Sequence, residues 1–261
     1  MSKPIDTGSP SGPTPGEAFA REVAERLRAN GEDAELRGRA LGFTRASVTR
    51  RYSYNFSWMG RPIIQYPQDI VAMQELLFAV QPDLVIETGV AHGGSLVLSA
   101  SMLALNALSG GPADARVVGV DIDIRAHNRA AIEAHPMAAR ITLLQGSSVD
   151  PDVIARVSEM ARGRQRVLVC LDSNHTHEHV LAELDAYAPL VTPGSYCVVF
   201  DTVIEDVPEC WSPDRPWRAG NNPASALAAW LPEHPEFVVD AEMDHKLMIS
   251  AAPGGFLKRA S

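Results

Sequence analysis

Residues 84–98 read LVIETGVAHGGSLVL, and the order in which these residue types arrive decides the fold. Leu84, Val85 and Ile86 form a short apolar run of the kind found in a parallel strand buried on both faces. Glu87 stands at its end. Gly89, Gly93 and Gly94 permit a tight turn and let a ligand approach the backbone closely. Ser95 and the apolar run 96–105 then begin a helix, whose first N–H groups lack internal partners and face the turn. A strand, a glycine turn and a helix also make an ordinary βα connection, so the downstream chain must decide whether this one binds anything.

The same order of residue types repeats. Residues 116–123 (RVVGVDID) predict a second buried strand ending in acid. Residues 140–144 (RITLL) predict a third, followed by Gly146, Ser147 and Ser148. Residues 165–172 (QRVLVCLD) predict a fourth, ending at Asp172, and residues 195–200 a fifth, ending at Asp201. Helices are expected over 67–80, after Asp150-Pro151, over 181–187 and over 224–231. A last strand pair is expected at 237–240 and 246–251, after which Pro253-Gly254-Gly255 turns into a tail. The alternation predicts an α/β fold, a mostly parallel sheet with helices on both faces. Ligands of such sheets bind outside the carboxyl ends of the strands. Glu87, Asp121, Ser148, Asp172 and Asp201 all stand at such ends.

Upstream, residues 1–15 are rich in Pro, Gly, Ser and Thr and are expected to be disordered. Residues 16–30 place Phe19, Val23 and Leu27 four apart with charges between, an amphipathic helix suited to capping the core or to an oligomer contact. Residues 44–65 pack Tyr52, Tyr54, Phe56 and Trp58 into a segment whose Asn, Ser, Gly and Pro argue for an ordered loop. Its rings either line a substrate pocket or pin the loop to the core. The organisation expected is a tail at 1–15, a helix and aromatic loop cap at 16–65, and the main domain at 66–261.

The chain has 261 residues, is 46% hydrophobic and carries a formal net charge of -9, which weighs against nucleic acid as a partner. No run is long enough to span a membrane, and the N-terminus shows no apolar signal region. Cys170, Cys197 and Cys210 fit no zinc spacing and read as reduced thiols of a cytoplasmic protein.

Among the polar residues, Asp121 is placed to accept from ribose hydroxyls, as a carboxylate ending the second strand does in nucleoside binders. Asp123 is assigned to cap the helix that follows. The stretch SNHTHEHV holds His175, His177 and His179. Its order is not the two-histidine, one-glutamate pattern of zinc proteases, and a third ligand is missing. His177 and His179 read as exposed helix-start residues. His175, three past Asp172, is placed to take a proton from a substrate. Asp172 and Asp201 suit Mg²⁺; the alternative is that one binds the cofactor and the other caps a helix. Residues 205–222, with Trp211 and Trp217, suit a lid.

At this point the chain resembles the cephalosporin hydroxylase / rhamnosyl O-methyltransferase family, over residues 52–259. The resemblance rests on YSYNFSWMGRPIIQ, PQDIVAMQEL, IETGVAHGGS, VVGVDIDIRAHNRAAIEAHP, LDSNHTHEHV and LVTPGSY. More distantly, the layout is similar to metal-dependent catechol-type O-methyltransferases. The resemblance implies a Rossmann-like class I fold, S-adenosylmethionine as cofactor, Mg²⁺ as a possible second one, and an oligomeric enzyme of natural-product pathways such as antibiotic biosynthesis. By position it implies that Gly89 and the turn to Ser95 touch the methionine part, with Glu87 also in the cofactor-binding set. Asp121 then holds the ribose, Ser148 lies near the adenine, and Asp172 and Asp201 are metal ligands. Asp172 also belongs to the cofactor set, and with His175 to the catalytic one. His175 falls where catechol-type enzymes keep a catalytic lysine. One departure stands out: the family commonly carries Glu-Asp at the end of the fifth strand, and here the pair is Phe200-Asp201.

The expected activity is methyl transfer from S-adenosylmethionine to a hydroxyl or amino group of a small natural product, a sugar or aminosugar. The lost Glu and the acidic charge favour an amino-bearing acceptor. A hydroxylase and a non-catalytic accessory subunit are the alternatives. A nicotinamide-dependent enzyme is disfavoured because the turn is not GxGxxG.

Overall fold

The computed structural model describes residues 12–208 and 214–260. Seven strands make one sheet: β3 (Leu84–Thr88), β4 (Arg116–Asp121), β5 (Ile141–Gln145), β6 (Val167–Leu171), β7 (Tyr196–Val199), β8 (Phe237–Val239) and β9 (Phe256–Arg259). A separate antiparallel hairpin precedes them, β1 (Phe56–Trp58) and β2 (Arg61–Ile63). The sheet order is β5-β4-β3-β6-β7-β9-β8. From β5 to β7 all neighbours are parallel, and β9 runs antiparallel to both β7 and β8. The chain moves outward from β3 through β4 to β5, then crosses back to β6. That reversal beside β3 opens the crevice at the carboxyl ends of the strands where such sheets bind ligands.

The helices are α1 (Pro15–Glu32), α2 (Ala34–Thr49), α3 (Pro67–Val80), α4 (Gly94–Leu108), α5 (Ala126–Glu133), α6 (Pro151–Ala161), α7 (His177–Tyr187), α8 (Pro223–Trp230) and α9 (Ala241–Leu247). The period of two along the strands sorts them into two layers. Val85 joins one core with Leu77 of α3 and Leu96 and Leu103 of α4. Its neighbours Leu84 and Ile86 join the other, with Val157 of α6, Leu184 of α7 and Trp230 of α8. Helices therefore cover both faces. No described helix is long and apolar enough to cross a membrane.

Several sequence expectations need correction. Residues 246–251 are not a strand: Met243 and Leu247, four apart and buried, belong to α9, which ends at Leu247. The strand paired with β8 is β9, in the stretch expected to be tail. Gly255 leads into it because a side chain there would meet the Val199 carbonyl oxygen at 2.1 Å. Asp123 caps nothing: α5 begins after Arg125 without a side-chain cap, and the Asp123 N–H instead donates to Asp121 at 3.0 Å.

The segment expected to be one helix and an aromatic loop holds α1, α2 and the hairpin. Thr14 and Glu17 form a reciprocal capping box, so α1 starts at Pro15; the rest of the expected tail, 1–11, lies outside the described residues. Phe19 on α1 is 62% exposed, so that helix does not bury its apolar stripe in the core. The hairpin closes because Met59 and Gly60 both take positive φ (44° and 83°), the requirement of a type I′ turn. Tyr52 packs edge-on against Phe56 at 5.2 Å and Phe43 at 5.6 Å, and the Trp58 Nε1–H donates to Ser101 at 3.0 Å. These rings pin the segment, while Tyr54 borders the crevice. The pinning reading therefore holds for Tyr52, Phe56 and Trp58.

Candidate functional site

The turn after β3 is built around Gly89. Its φ of 90° is left-handed, and a side chain there would meet the Asp172 carbonyl oxygen at 1.9 Å. Only glycine lets the β3 turn lie against the end of β6. The Gly89 N–H donates to the Val120 carbonyl at 2.8 Å. Asp121, ending β4, accepts on Oδ2 from the Val90 N–H (2.8 Å) and the Ala91 N–H (3.3 Å). The hairpin buttresses the turn from outside: Arg61 donates twice to the His92 carbonyl and once to Asn128 Oδ1. Asn128 in turn donates to the Ala91 carbonyl.

Glu87 lies beneath this turn, not in the crevice. It is buried, accepts a short bond from the Ser95 hydroxyl, and has its pKa pushed up to about 7 by burial. Glu87 and Ser95 hold each other, and neither borders the cleft.

The cleft has a volume of about 380 Å³, and Gly89, Asp121, Ser148, Asp172, His175 and Asp201 all border it. Three of these converge. His175 Nε2 lies 3.0 Å from an Asp201 carboxylate oxygen, and one donor atom each from Asp172, His175 and Asp201 lies within 4.8 Å of the others. Asp201 takes a left-handed φ of 58°, just past the end of β7. The Asp172 carboxyl is held well above the usual carboxylate range, first by burial and next by the Asp201 charge. Phe200 borders the same space, is 3% exposed and belongs to the core; it supplies an apolar wall and no donor.

The His175 ring meets the Trp217 ring edge-on at 4.8 Å, and the Arg215 guanidinium lies over Trp217 at 5.0 Å. Trp217 Nε1 is buried with no hydrogen-bond partner among the described residues. This end of the expected lid segment is held by Glu205, which accepts from the Gly220 N–H at 2.9 Å and from the Asn222 amide at 2.5 Å, bonds that lower its pKa. Trp211 of that segment, and Cys210, lie outside the described residues; Cys170 and Cys197 are free and buried.

Two histidines read from sequence as merely exposed are not. The His177 N–H donates to Asn221 at 2.9 Å and its Nδ1 meets the Ser225 hydroxyl at 2.9 Å, tying α7 to α8. His179, its side chain 19% exposed, borders the cleft. Its Nε2 lies 3.0 Å from Ser148 Oγ, 3.2 Å from Ser173 Oγ and 3.5 Å from Glu183 Oε1. The sequence signal was the four-residue spacing of His179, Glu183 and Tyr187 on one helix face.

Comparison with known proteins bears on this arrangement. Residues 50–260 match the family model described as Rhamnosyl O-methyltransferase/CmcI. The chain is 29% identical over 208 residues to a rhamnosyl O-methyltransferase of Mycobacterium tuberculosis (strain ATCC 25618 / H37Rv), covering 78% of each protein. It is 29% identical over 205 residues to that of Mycobacterium leprae (strain TN), covering 78% of this chain and 82% of the relative. Among solved structures it is similar to CmcI with Mg and SAM (TM-score 0.52, 21% identity, 80% of this chain and 78% of the other). It is also similar to an O-methyltransferase from Bacillus cereus in complex with SAH (TM-score 0.51, 14% identity, 89% and 84%). The sheet order, the glycine turn and the matched span agree: the chain belongs to the Rhamnosyl O-methyltransferase/CmcI family and is an S-adenosylmethionine-dependent methyltransferase of the Rossmann-like class I fold.

Proposed function

We propose that the protein transfers the methyl group of S-adenosylmethionine to a hydroxyl of a sugar in a small natural product. The observation that carries this reading is the His175–Asp201 contact of 3.0 Å, beside Asp172 and open to the same cleft as the glycine turn. A sugar hydroxyl needs a base to become a nucleophile, and this pair supplies one. An amine needs less help, and the relatives are named for rhamnosyl O-methylation. The hydroxyl reading therefore replaces the preference for an amino-bearing acceptor.

Residues along the carboxyl edge of the sheet would hold the cofactor: the turn after β3 its methionine part, Asp121 on β4 its ribose, and Ser147 and Ser148, past the end of the outer neighbour β5, its base. Asp172 and His175, at the end of β6, would stand on the side of the methyl group, which the cofactor supplies. The acceptor oxygen attacks the methyl carbon in line with the carbon–sulfur bond; the new C–O bond forms as the C–S bond breaks, and S-adenosylhomocysteine leaves. The hydroxyl proton passes to the other His175 ring nitrogen, Nδ1, and Asp201, 3.0 Å from Nε2, stabilises the imidazolium that results. Trp217 covers the histidine and limits water.

Two carboxylates and an imidazole with donors this close fit a divalent cation, which Asp172 and Asp201 would hold with His175 as a nitrogen donor. Bound there, it would lower the pKa of a coordinated hydroxyl and so replace His175, then a ligand, as the activating group.

The test is calorimetric titration with S-adenosylmethionine, without and with Mg²⁺. Methyl-label transfer to a rhamnoside and to its aminosugar counterpart is then measured. Cofactor binding and labelling of the rhamnoside are expected. Failure to bind the cofactor, or labelling of the aminosugar alone, would overturn the reading.

A further inference from the structure

We propose that His179 is a positioning residue for the base end of the cofactor, acting through Ser148. The inference rests on the cofactor placement above. Ser148 is held by α7 at two points. The Tyr187 hydroxyl donates to the Ser148 carbonyl at 2.6 Å, and His179 Nε2 meets the Ser148 hydroxyl at 3.0 Å. His179, Glu183 and Tyr187 stand at four-residue steps on one face of α7, so one helix sets both contacts.

The groups around His179 Nε2 also favour one direction for the Ser148 hydroxyl. The Ser173 hydroxyl donates to Glu183 Oε1 at 2.7 Å. Its oxygen, 3.2 Å from His179 Nε2, is left to accept. Glu183 is buried, and its Oε1 lies 3.5 Å from the same nitrogen. An acceptor and a carboxylate around Nε2 favour the tautomer that carries the proton there. His179 then donates toward Ser148, and the Ser148 proton turns to the cleft. Ser148 so presents a donor, suited to a ring nitrogen of the base.

The test is a double-mutant cycle read by calorimetric titration with S-adenosylhomocysteine, on Ser148→Ala, His179→Ala and the double variant. Each single change is expected to weaken binding roughly fivefold to tenfold, the worth of one neutral hydrogen bond. The double variant is expected to bind no more weakly than Ser148→Ala alone, because His179 acts through that hydroxyl. His179→Gln, which keeps an N–H donor, should recover part of the loss. Thermal melts without ligand establish that each variant is folded; if His179→Ala is not, His179→Leu takes its place in the cycle. Losses that multiply in the double variant, or an unchanged affinity for either single variant, would overturn the proposal. A wild-type protein that does not bind S-adenosylhomocysteine would overturn the cofactor placement itself, which the cycle separates from failure of the His179 role.

Discussion

His175 and Asp201 meet at 3.0 Å although they leave the sheet from different strands, β6 and β7. The contact is made because β6 and β7 are parallel neighbours, so both carboxyl ends open on the same side. On the proposed reading, His175→Ala should lower kcat by about 10²-fold or more, the usual contribution of a positioned base. The Kd for S-adenosylmethionine should stay within a few fold. Single-turnover transfer rates and calorimetry on the same preparation check both; equal losses in rate and cofactor affinity would count against the base role.

Asp121 serves the turn as well as any ribose, since the Val90 and Ala91 N–H groups end on its Oδ2. Asp121→Ala is therefore expected to weaken S-adenosylmethionine binding by roughly 10² or more, through lost contact to the ligand and a loosened turn together. Titration of adenosine alone should show most of the same loss if, as proposed, Asp121 holds the ribose.

Gly89 has no room for a side chain. Gly89→Ala puts a methyl 1.9 Å from the Asp172 carbonyl at a φ of 90°, so the β3 turn and the end of β6 must separate. A loss of stability of at least about 2 kcal/mol is expected from strain and displaced packing. Denaturant unfolding measures it. A variant as stable as the wild type would show that the two strand ends are not in contact.

Phe200 decides which ion the cluster would prefer. An imidazole and two carboxylates suit Mn²⁺, Co²⁺ or Zn²⁺ better than Mg²⁺, which favours oxygen ligands. Calorimetry is expected to show Mn²⁺ and Zn²⁺ binding more tightly than Mg²⁺. Phe200→Glu adds an oxygen donor at the same wall and should raise Mg²⁺ affinity, seen also as a melting temperature that rises with Mg²⁺ in the variant but not in the wild type. Equal Mg²⁺ affinity in both proteins would remove Phe200 from the account.

Asp69 of α3 is fully buried; its carboxyl accepts from the Ser250 hydroxyl and the Ala251 N–H, and burial raises its pKa to about 7. A pKa raised on folding means that the unfolded chain releases this proton first. The contribution is thus fully present below the unfolded value near 4 and is lost as pH rises toward 7. Asp69→Asn keeps a neutral, hydrogen-bonding side chain at this site. Its stability should fall less than the wild type's between those pH values, by on the order of a few kcal/mol. Melting temperatures across that window test it.

Most of the sheet was legible in the sequence. Runs such as VLVCL in β6 are apolar on both faces, and only a central parallel strand meets that demand. What escaped was local structure that depends on distant partners. The last strand differs from the expectation because 246–251 (KLMISA) is the more apolar run, and only pairing with Val198 and Val199 makes a strand of the half-charged 256–259 (FLKR). The hairpin at Met59-Gly60 was missed because a positive φ at methionine has no sequence signature. His179 was read as surface because its partners Ser148 and Ser173 come from other strand ends.

The sequence by itself determined the α/β class, the glycine turn after β3 and the row of polar residues at the strand ends. Each of these is written in residues a few positions apart, where periodicity and glycine permissiveness act. Only the tertiary structure decided which of those residues meet. It turned Glu87 and Ser95 toward each other beneath the turn, brought His175 onto Asp201, and set His179 against Ser148. Those pairings depend on strand order and on the direction in which each side chain leaves its element, and neither is encoded in spacing along the chain.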